Sequence, residues 1–419
     1  TGTNKGVIFS NYYVTLRRST VVPEAQYEVF TTTSTSVPYR IPAIAVTPNG
    51  TIVCAADYRH SYKDIGVVEN GRIDLHARRS FDNGVSWGGT EIIINGKGAE
   101  SEDFMNVGYG DPCLVADRES GRLLLLSCAG NVSFQSGTRN NHQNIARFYS
   151  EDNGATWSET KTIAKGSCKR GTDDCAYGDA AIAVVGEKIL VMAAAGDVMF
   201  GNGSATAHNR AVRVFSEDNG ATWTKQDISE TLFLGDDATI KNGYSSFFGS
   251  GRLAVDENYN GTGKARIYGA LLLKKASGTG NYVIYTDDLG FTWNILGGSQ
   301  DPVASQDEPK VEILPSGQIL LSVRRGGGRQ FNVFTYTNKA TNAGTWNSNV
   351  NGCNNGGSNT CNGEPYCIDA KNADGEPVKL LLQSQPKGGS GHYDRKDAGQ
   401  QVDQKPGVQD IVDLSENTC

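Results

Sequence analysis

The chain has 419 residues, a formal net charge of −7 and 38% hydrophobic residues, with 51 glycines and 17 tyrosines. This composition suits many short strands and tight turns, and no apolar run approaches the roughly 18 residues that a membrane helix needs. We therefore predict no membrane span. The lack of a basic tail or Lys/Arg run argues against a nucleic-acid partner, but an acidic chain can still hold a basic pocket for an anionic small substrate.

The N-terminal part of the chain carries strand-like pieces and no catalytic signature. We interpret residues 1–36 as an N-terminal strand region, and we expect its strand to complete the last sheet of the fold. Two strands joined by the turn TPNG follow, from Val37 to Arg59. Arg40 stands near the start of the first of them, flanked by Pro38 and Pro42. An edge-strand arginine facing solvent is one interpretation of this pattern, and a functional arginine is the other.

An eight-residue box, S-x-D-x-G-x-T-W in outline, recurs along the chain. Its four good copies start at positions 80, 150, 216 and 286, so the spacings are 70, 66 and 70 residues. A degenerate fifth copy ends at Trp346, and the 5 tryptophans of the chain each close one copy. The four good copies are Ser80–Trp87, Ser150–Trp157, Ser216–Trp223 and Thr286–Trp293.

Each box has the features of a β-hairpin turn. An apolar-rich strand precedes it, the aspartate can accept hydrogen bonds from backbone N–H groups of its own turn, and the glycine allows a positive φ. The closing tryptophan offers a large apolar area to pack beneath the turn. Strands repeated at this period predict an array of small sheets, of which a β-propeller is the commonest closed form.

The stretch YRIPAIA, from Tyr39 to Ala45, followed by these boxes resembles the sialidase (neuraminidase) family, which includes trans-sialidases. The resemblance runs from about Tyr39 to about Arg395. It implies an all-β fold, a six-bladed β-propeller forming one domain over residues 1–419, with a hydrolytic site on its axis. It also implies sialylated glycans as substrates, and we expect no cofactor, no metal and a monomer.

The loop after the first hairpin carries the first catalytic candidate. By resemblance, Asp64 takes the place of the general acid/base, which protonates the departing glycosidic oxygen and then deprotonates the incoming water. Arg59 and Asp111 resemble positions that contact the ring substituents of the sugar. Without the resemblance, Asp64 would be interpreted as a solvated loop acid and Arg59 as a surface group in a salt bridge.

The stretch from Ser305 to Arg325 is the second signature, with an acidic residue, an apolar strand, a glycine turn and an arginine at the end of the next strand. By resemblance, Glu308 pairs with a nucleophilic tyrosine and Arg324 grips the substrate carboxylate, with Glu312 and Arg325 as near alternatives. The competing interpretation is that the acidic residues merely line the solvent face of one strand at a period of two.

The third arginine of the resemblance falls on Arg395, in the stretch Val378–Asp397, although a solvated loop arginine is equally compatible with that stretch alone. Three guanidinium groups suit a sialic acid because its anomeric carbon bears a carboxylate, which planar forks bind bidentately. The clamp would then consist of Arg40, Arg324 and Arg395.

The pattern breaks after Arg395. No sixth box and no tyrosine after Tyr393 follow, and Tyr393 stands in the wrong context for the nucleophile. We therefore interpret residues 396–419 as an atypical tail and allow for an incomplete last blade. The predicted function is an exo-sialidase that acts with retention. The alternatives are a sialic-acid-binding, lectin-like propeller without turnover, or a trans-sialidase.

The cysteines and glycosylation sequons favour an extracellular or secreted protein. Cys54, Cys113 and Cys128 lie in apolar runs and are predicted to be buried thiols, whereas loop cysteines could form bridges: Cys168 with Cys175, and one pair among Cys353, Cys361 and Cys367. No spacing suggests a zinc site. The sequons start at Asn49, Asn131, Asn202 and Asn260.

Overall fold

The structure is a computed structural model. It describes residues 8–10, 13–15, 29–31, 38–117, 120–133, 143–165, 177–178, 180–196, 198, 200–229, 232, 243–249, 251–298, 301–304, 307–347, 363–371, 377–384 and 408–413.

Within these residues the strands form a small N-terminal hairpin and six successive sheets. The hairpin consists of β1 (Ile8–Ser10) and β2 (Tyr13–Thr15). The first sheet contains β3 (Tyr39–Val46), β4 (Ile52–Arg59), β5 (Ile73–Ser80) and β6 (Glu91–Ile94). The second contains β7 (Tyr109–Ala116), β8 (Leu123–Gly130), β9 (Gln143–Ser150) and β10 (Lys161–Lys165).

The third and fourth sheets share the middle of the chain. The third contains β11 (Ala181–Val185), β12 (Lys188–Ala195), β13 (Arg210–Ser216) and β14 (Thr224–Asp227), with a short parallel strand from the next segment. The strands that follow in chain order are β15 (Gly243–Phe247), β16 (Gly251–Arg252), β17 (Ala254–Asp256), β18 (Arg266–Lys275), β19 (Gly278–Thr286), β20 (Asn294–Ile295) and β21 (Val303–Ala304). Of these, β16 joins β11, and the others build the fourth sheet.

The last two sheets complete the described strands. The fifth contains β22 (Asp307–Ile313), β23 (Ile319–Arg325), β24 (Gly328–Asn338) and β25 (Ala343–Trp346). The sixth contains β26 (Pro365–Lys371), β27 (Pro377–Ser384) and β28 (Val408–Asp413). Short 3-10 helices occur at Gly98–Glu100, Phe104–Asn106, Phe200–Asn202 and Tyr259–Gly261.

Six consecutive antiparallel sheets are the blades of a β-propeller, as the repeats predict. The sixth blade has three described strands where the first, second and fifth have four. Its third strand, β28, lies in the segment that we interpreted as a tail. In the described part of the chain β1 and β2 pair with each other, and β28 extends the sixth sheet, so the completion of the last sheet by the N-terminal region stays a prediction.

The boxes form the predicted turns between the third and fourth strands of their blades. In the third blade, Asp218 Oδ1 accepts hydrogen bonds from the Ser216 hydroxyl (2.7 Å) and the Thr222 backbone N–H (2.8 Å), and Oδ2 accepts one from the Thr222 hydroxyl (2.6 Å). Gly220 has a φ of 79°, and its N–H donates to Ser216 Oγ at 2.7 Å. The indole N–H of Trp223 donates to the Gly220 carbonyl at 2.9 Å. We call this turn the Asp box.

The hydrophobic core consists of layers between neighbouring blades. Val53 and Leu75 of the first blade pack with Tyr109 and Leu123 of the second, and similar layers join the second to the third blade, the third to the fourth and the fourth to the fifth. A central strand such as β8 is consequently buried along its whole length. Burying one large apolar side chain contributes roughly 1.5–3 kcal/mol, so stacking the blades holds the scaffold together.

Candidate active site

Five of the predicted site residues lie at one end of the blades. Arg40, Asp111 and Glu308 stand near the start of the first strand of their blades. The second strand runs antiparallel to the first, so its end lies beside that start, and Arg59 and Arg324 stand there, on β4 and β23. In a β-propeller the blades are arranged around a central axis and their first strands all run in the same direction along it. These residues therefore lie at the same mouth of the propeller.

Three of the first strands have the same irregularity just before a proline. The residue before the proline has a positive φ, and the strand register shifts at that point. A left-handed conformation costs an L residue roughly 1–2 kcal/mol, and a residue before proline is normally extended. Bulges of this kind re-aim side chains next to functional sites. The residues are Ile41 (φ 48°) before Pro42, Asp111 (53°) before Pro112 and Glu308 (37°) before Pro309.

Asp64, the predicted acid/base, is held by two arginines. Arg40 Nη1 donates to Asp64 Oδ1 at 2.8 Å, and Arg59 Nη1 donates to the same oxygen at 2.5 Å. The side chain of Asp64 is 51% exposed, whereas those of Arg40 and Arg59 are 12% and 0% exposed. The carboxylate therefore faces the solvent while the cations that hold it are embedded in the protein.

The loop that carries Asp64 is docked on the second blade. Asn70 N donates to Asn131 Oδ1 at 2.6 Å, and Asn131 Nδ2 donates to Asn70 Oδ1 at 2.8 Å. Gly66, with a φ of 68°, lies so close to this blade that an added Cβ would be 2.2 Å from the Val132 carbonyl carbon. These contacts fix the loop, so the position of Asp64 does not depend on its ion pairs alone.

Asp57 is a member of the site that the sequence analysis missed. Its Oδ2 accepts hydrogen bonds from Arg59 Nε (3.0 Å) and Nη2 (2.7 Å), and its Oδ1 accepts one from the backbone N–H of Asp111 (3.0 Å). Arg59 Nη2 also lies 3.7 Å from Asp111 Oδ1. The available signal was its position two residues before Arg59 on the same strand, which puts both side chains on one face.

The charges of this group shift one another's pKa values. Desolvation alone would raise the pKa of Asp64, but Arg59 and Arg40 outweigh it and hold the pKa below its usual value. Burial raises the pKa of Asp57 to about 7, against the opposing attraction of Arg59. Burial would lower the pKa of Arg59, but Asp57, Asp111 and Asp64 outweigh it and raise the pKa. Three carboxylates share two guanidinium groups, so the most buried carboxyl is the one that keeps a proton most readily.

Glu308 and Arg324 form a second pair on the fifth blade. Arg324 Nη1 lies 2.9 Å from Glu308 Oε1 and 3.7 Å from Asp307 Oδ2. Both side chains of the closer pair are mostly buried, and Glu308 Oε2 is a buried atom that has no hydrogen-bond partner among the described residues. A buried carboxylate oxygen in this state lacks a donor. The structure therefore brings together the two residues that the resemblance assigned to this part of the site.

The near alternatives on this blade face other surroundings. Glu312 pairs with Arg252 of β16, and Arg252 in turn lies 3.6 Å from Glu364 Oε1. Lys310 Nζ lies 3.3 Å from Glu364 Oε2. Lys310 and Glu312 are 4% and 6% exposed, so they do not line a solvent face. Arg325 follows Arg324 on β23 and consequently projects from the opposite face of the strand.

The remaining candidates of the resemblance lie elsewhere. Arg395 and Tyr393 lie outside the described residues, as do the loop cysteines Cys168, Cys175, Cys353 and Cys361. Within the described ranges, no tyrosine hydroxyl makes a hydrogen bond to Glu308. The third arginine and the nucleophile thus stay predictions from the sequence.

The thiols agree with the sequence where the structure describes them. Cys54, Cys113 and Cys128 are buried, as predicted, and none of these three nor Cys367 forms a disulfide among the described residues. Burial raises the pKa of Cys54 and of Cys113 to about 12, which keeps both protonated. No group of three or more His, Cys, Asp or Glu side chains in the described part of the chain could hold a metal ion. Among the same residues, no helix has the length and apolar character to span a bilayer.

The sequence of this chain is similar to those of known sialidases over part of its length. Residues 66–248 match the BNR repeat-like domain. A sialidase of Micromonospora viridifaciens is 26% identical over 234 residues, which cover 50% of this chain and 33% of that protein. The chain covers between 33% and 48% of the length of the curated sialidases that it matches.

Solved structures share the fold at low sequence identity. The NanB sialidase from Streptococcus pneumoniae matches with a TM-score of 0.54 and 12% identity, over 94% of this chain and 71% of that one. An α-L-arabinofuranosidase from Fusarium graminearum, solved with an iminosugar inhibitor, matches with a TM-score of 0.50 and 13% identity, over 85% and 92%. The predicted fold class is confirmed, and this fold also serves a glycosidase named for another sugar.

Proposed function

We propose that this chain, which shares the sialidase β-propeller fold and matches the BNR repeat-like domain over residues 66–248, is an exo-sialidase that releases terminal sialic acid from glycoconjugates with retention. Asp64 is the acid/base, and Glu308 is the partner of a nucleophilic tyrosine. Arg40, Arg324 and Arg395 form the carboxylate clamp. Arg59 and Asp111 contact the substituents of the sugar ring.

The observation that carries this proposal is the pairing of each catalytic acid with an arginine at one mouth of the propeller. Arg40 lies 2.8 Å from Asp64, and Arg324 lies 2.9 Å from Glu308. Planar guanidinium groups bind a carboxylate through charge-assisted, bidentate hydrogen bonds. A substrate that bears a carboxylate at its reacting carbon therefore suits these arginines, and it would compete with Asp64 for Arg40 and with Glu308 for Arg324.

The reaction divides into two balanced steps. In the first, Asp64 gives its proton to the glycosidic oxygen, the bond from that oxygen to the anomeric carbon breaks, and the tyrosine oxygen bonds to the carbon while its proton passes to Glu308. In the second, water attacks the same carbon, Asp64 takes a proton from the water, and the tyrosine leaves and recovers its proton from Glu308. The buried, unpartnered Glu308 Oε2 is a suitable acceptor for a hydroxyl proton.

Asp64 has to be protonated before it can act as the acid, yet its pKa is lowered in the free protein. Binding resolves this conflict. When the substrate carboxylate engages Arg40, that guanidinium no longer serves Asp64, so the pKa of Asp64 rises. The substrate thereby converts Asp64 into an acid at the moment when the glycosidic oxygen lies beside it.

Turnover of a fluorogenic α-sialoside at mildly acidic pH tests the proposal, with an α-L-arabinofuranoside of the same aglycone as the comparison. We expect release from the sialoside only. Release from the arabinofuranoside alone would contradict the proposal and favour the chemistry of the Fusarium graminearum relative. A sialylated acceptor product in the presence of lactose would instead identify a trans-sialidase.

A sialic-acid-binding, lectin-like protein is the second candidate. The observation that favours it is that Glu308 has no tyrosine partner among the described residues. The arginines would still bind a sugar carboxylate without turnover. Isothermal titration with a non-hydrolysable sialoside separates the two, because binding without release of the sugar from a cleavable sialoside would support the lectin.

We also propose an extracellular or secreted monomer. Asn49, Asn202 and Asn260 are exposed, so these sequons are open to modification, whereas Asn131 is buried in the contact that docks the Asp64 loop. Expression through a secretory pathway followed by mass spectrometry would show glycans on the exposed sites alone. A glycan on Asn131, or a dimer in size-exclusion chromatography, would contradict these expectations.

A further inference from the structure

Glu308 adopts a backbone conformation that needs support. Its φ is 37°, it precedes Pro309, and the strand register shifts between Asp307 and Lys310. An L residue is disfavoured at positive φ, and a following proline biases it further toward an extended conformation. Strained residues of this kind persist only where the surrounding structure holds them, and they cluster at functional sites.

Arg329 lies directly behind Glu308 and is fully buried. It stands on β24, paired with Arg324 in the neighbouring strand. Its Nη2 donates to the carbonyl oxygen of Glu308 at 3.1 Å and to that of Ser322 at 2.8 Å, and its Nε donates to the Ser322 hydroxyl at 3.0 Å. The rigid guanidinium plane thus ties the strained residue to the second strand of the same blade.

The support continues into the sixth blade. The Ser322 hydroxyl donates to Gln383 Oε1 on β27 at 2.8 Å, and both residues are 0% exposed. Arg329 therefore belongs to a hydrogen-bonded chain that runs from the Glu308 backbone through two strands of the fifth blade to the sixth. Buried networks with every member bonded rigidify the structure around them.

We propose that Arg329 is a positioning residue, which holds the Glu308 backbone at positive φ so that the Glu308 carboxylate meets Arg324 at the mouth of the propeller. The proposal deepens the function proposed above, since it assigns the support of the nucleophile's partner. It does not require Arg329 to contact the substrate.

The second blade has a similar arrangement with the opposite charge. Asp111 also precedes a proline at positive φ, and the buried carboxylate of Asp57 accepts its backbone N–H at 3.0 Å. In both cases a buried charged side chain from another strand bonds the backbone of the strained residue: Arg329 from the third strand of the same blade, and Asp57 from the adjacent blade. Two independent occurrences argue that the buried charge is there for the strained backbone.

The competing explanation is that Arg329 only fills the core. Arg213 provides the matched control, because it is also an arginine with 0% exposure. Its Nε donates to the Leu289 carbonyl at 2.6 Å, and its guanidinium stacks on Phe215 and Phe291. Replacing either arginine by methionine removes a buried cation, but only Arg329 bonds the Glu308 backbone.

Crystal structures of Arg329→Met and Arg213→Met test the proposal without any need for activity. In Arg329→Met we expect Glu308 to relax to negative φ and its carboxylate to move from 2.9 Å to beyond 4 Å from Arg324 Nη1. In Arg213→Met both should stay unchanged. An unchanged Glu308 in Arg329→Met overturns the proposal. Should that variant not fold, Arg329→Gln, which is shorter and removes both the charge and the planar fork of donors, takes its place with the same two outcomes.

Kinetics supply a second readout if the wild-type protein hydrolyses sialosides. A misplacement of about 1 Å costs on the order of 100-fold in rate, so kcat should fall by about that factor in Arg329→Met while KM changes little. Adding Pro309→Ala removes part of the strain that Arg329 resists, and the double variant should recover about tenfold. Additive effects would contradict the proposal. A wild-type protein without turnover refutes the proposed function, and the crystal structures then still decide the role of Arg329.

Discussion

The change Arg40→Gln tests the carboxylate clamp and the control of Asp64 in one variant. Arg40 is 12% exposed and makes a 2.8 Å contact to Asp64. Glutamine keeps much of the side-chain length and removes the positive charge. We therefore expect two separable effects, on the binding of the substrate carboxylate and on the pKa of Asp64.

The size of the binding effect follows from the contact that is lost. A hydrogen bond to a charged group contributes about 1.5–3 kcal/mol, and 1.4 kcal/mol corresponds to a factor of ten. KM for a sialoside should therefore rise by about 10- to 150-fold. The second effect has a definite sign: Arg40 is one of two cations that lower the pKa of Asp64 in the free protein, so its loss raises that pKa and moves the basic limb of the kcat/KM profile, which reports the free protein, to higher pH.

The assay is the full pH profile of kcat and KM with an α-sialoside and with its carboxamide analogue. In the wild-type protein the carboxamide should bind more weakly by at least the factor that Arg40→Gln loses for the sialoside, and the variant should distinguish the two ligands less than the wild type does, because only Arg324 and Arg395 of the clamp remain. Arg72→Gln is the control, because Arg72 pairs with Asp74 on the other face of the same blade. A variant that still distinguishes carboxylate from carboxamide as well as the wild type would refute the clamp.

Three further predictions concern the acid and the scaffold. Asp64→Asn should slow sialosides with poor leaving groups by about 10²–10⁴-fold and activated aryl sialosides much less; equal losses in steady-state assays would remove Asp64 as the acid. Gly290→Ala should lower the free energy of unfolding in urea by about 1–3 kcal/mol, since φ is 84° and the new Cβ would lie 2.9 Å from Leu190, while Gly89→Ala, with open space around it, should be neutral. The Thr222 hydroxyl and N–H lower the pKa of Asp218 to about 2, so ionised Asp218 stabilises the folded state above the ordinary aspartate pKa, and this stabilisation is lost as pH falls through about 2. Asp218→Asn should therefore flatten the decline of the urea midpoint between pH 4 and pH 2. An unaltered decline would contradict this.

The repeats predicted the fold because each repeat forms its turn through contacts between residues that are close in the sequence. Every contact inside an Asp box joins residues at most a few positions apart, such as Asp218 with Thr222, so a short sequence pattern contains the whole turn. The period between boxes then fixes the number of strands per blade. The pairing of Glu308 with Arg324 was also predictable, since a hairpin around one glycine turn sets the register of both residues.

Other parts of the site depend on contacts that no local pattern contains. Asp57 accepts a hydrogen bond from the backbone of Asp111, 54 positions away, and its burial follows from the stacking of two blades. In the sequence it is one aspartate among many. The same holds for Arg329, whose position among glycines resembles a solvated turn until the fifth blade folds around it. Positive φ at Asp111 and Glu308 was equally hidden, because sequence rules predict extended backbone before proline.

The opposite ends of the blades have different tasks, and this separation limits what the repeats can reveal. The Asp boxes join neighbouring blades: Arg213 of the third blade donates to the carbonyl of Leu289 in the box of the fourth, and Gly290 lies against Leu190. The charged groups stand at the strand starts, beyond the reach of these contacts. A scaffold held by the boxes can therefore keep its geometry while the residues at the mouth, and with them the substrate, differ between proteins. This agrees with a fold that is shared by glycosidases of different sugars. Under the proposed function, the selection of an anionic sugar comes from the arginines at the mouth, and replacing Arg40 and Arg324 should remove that selection while leaving the propeller intact.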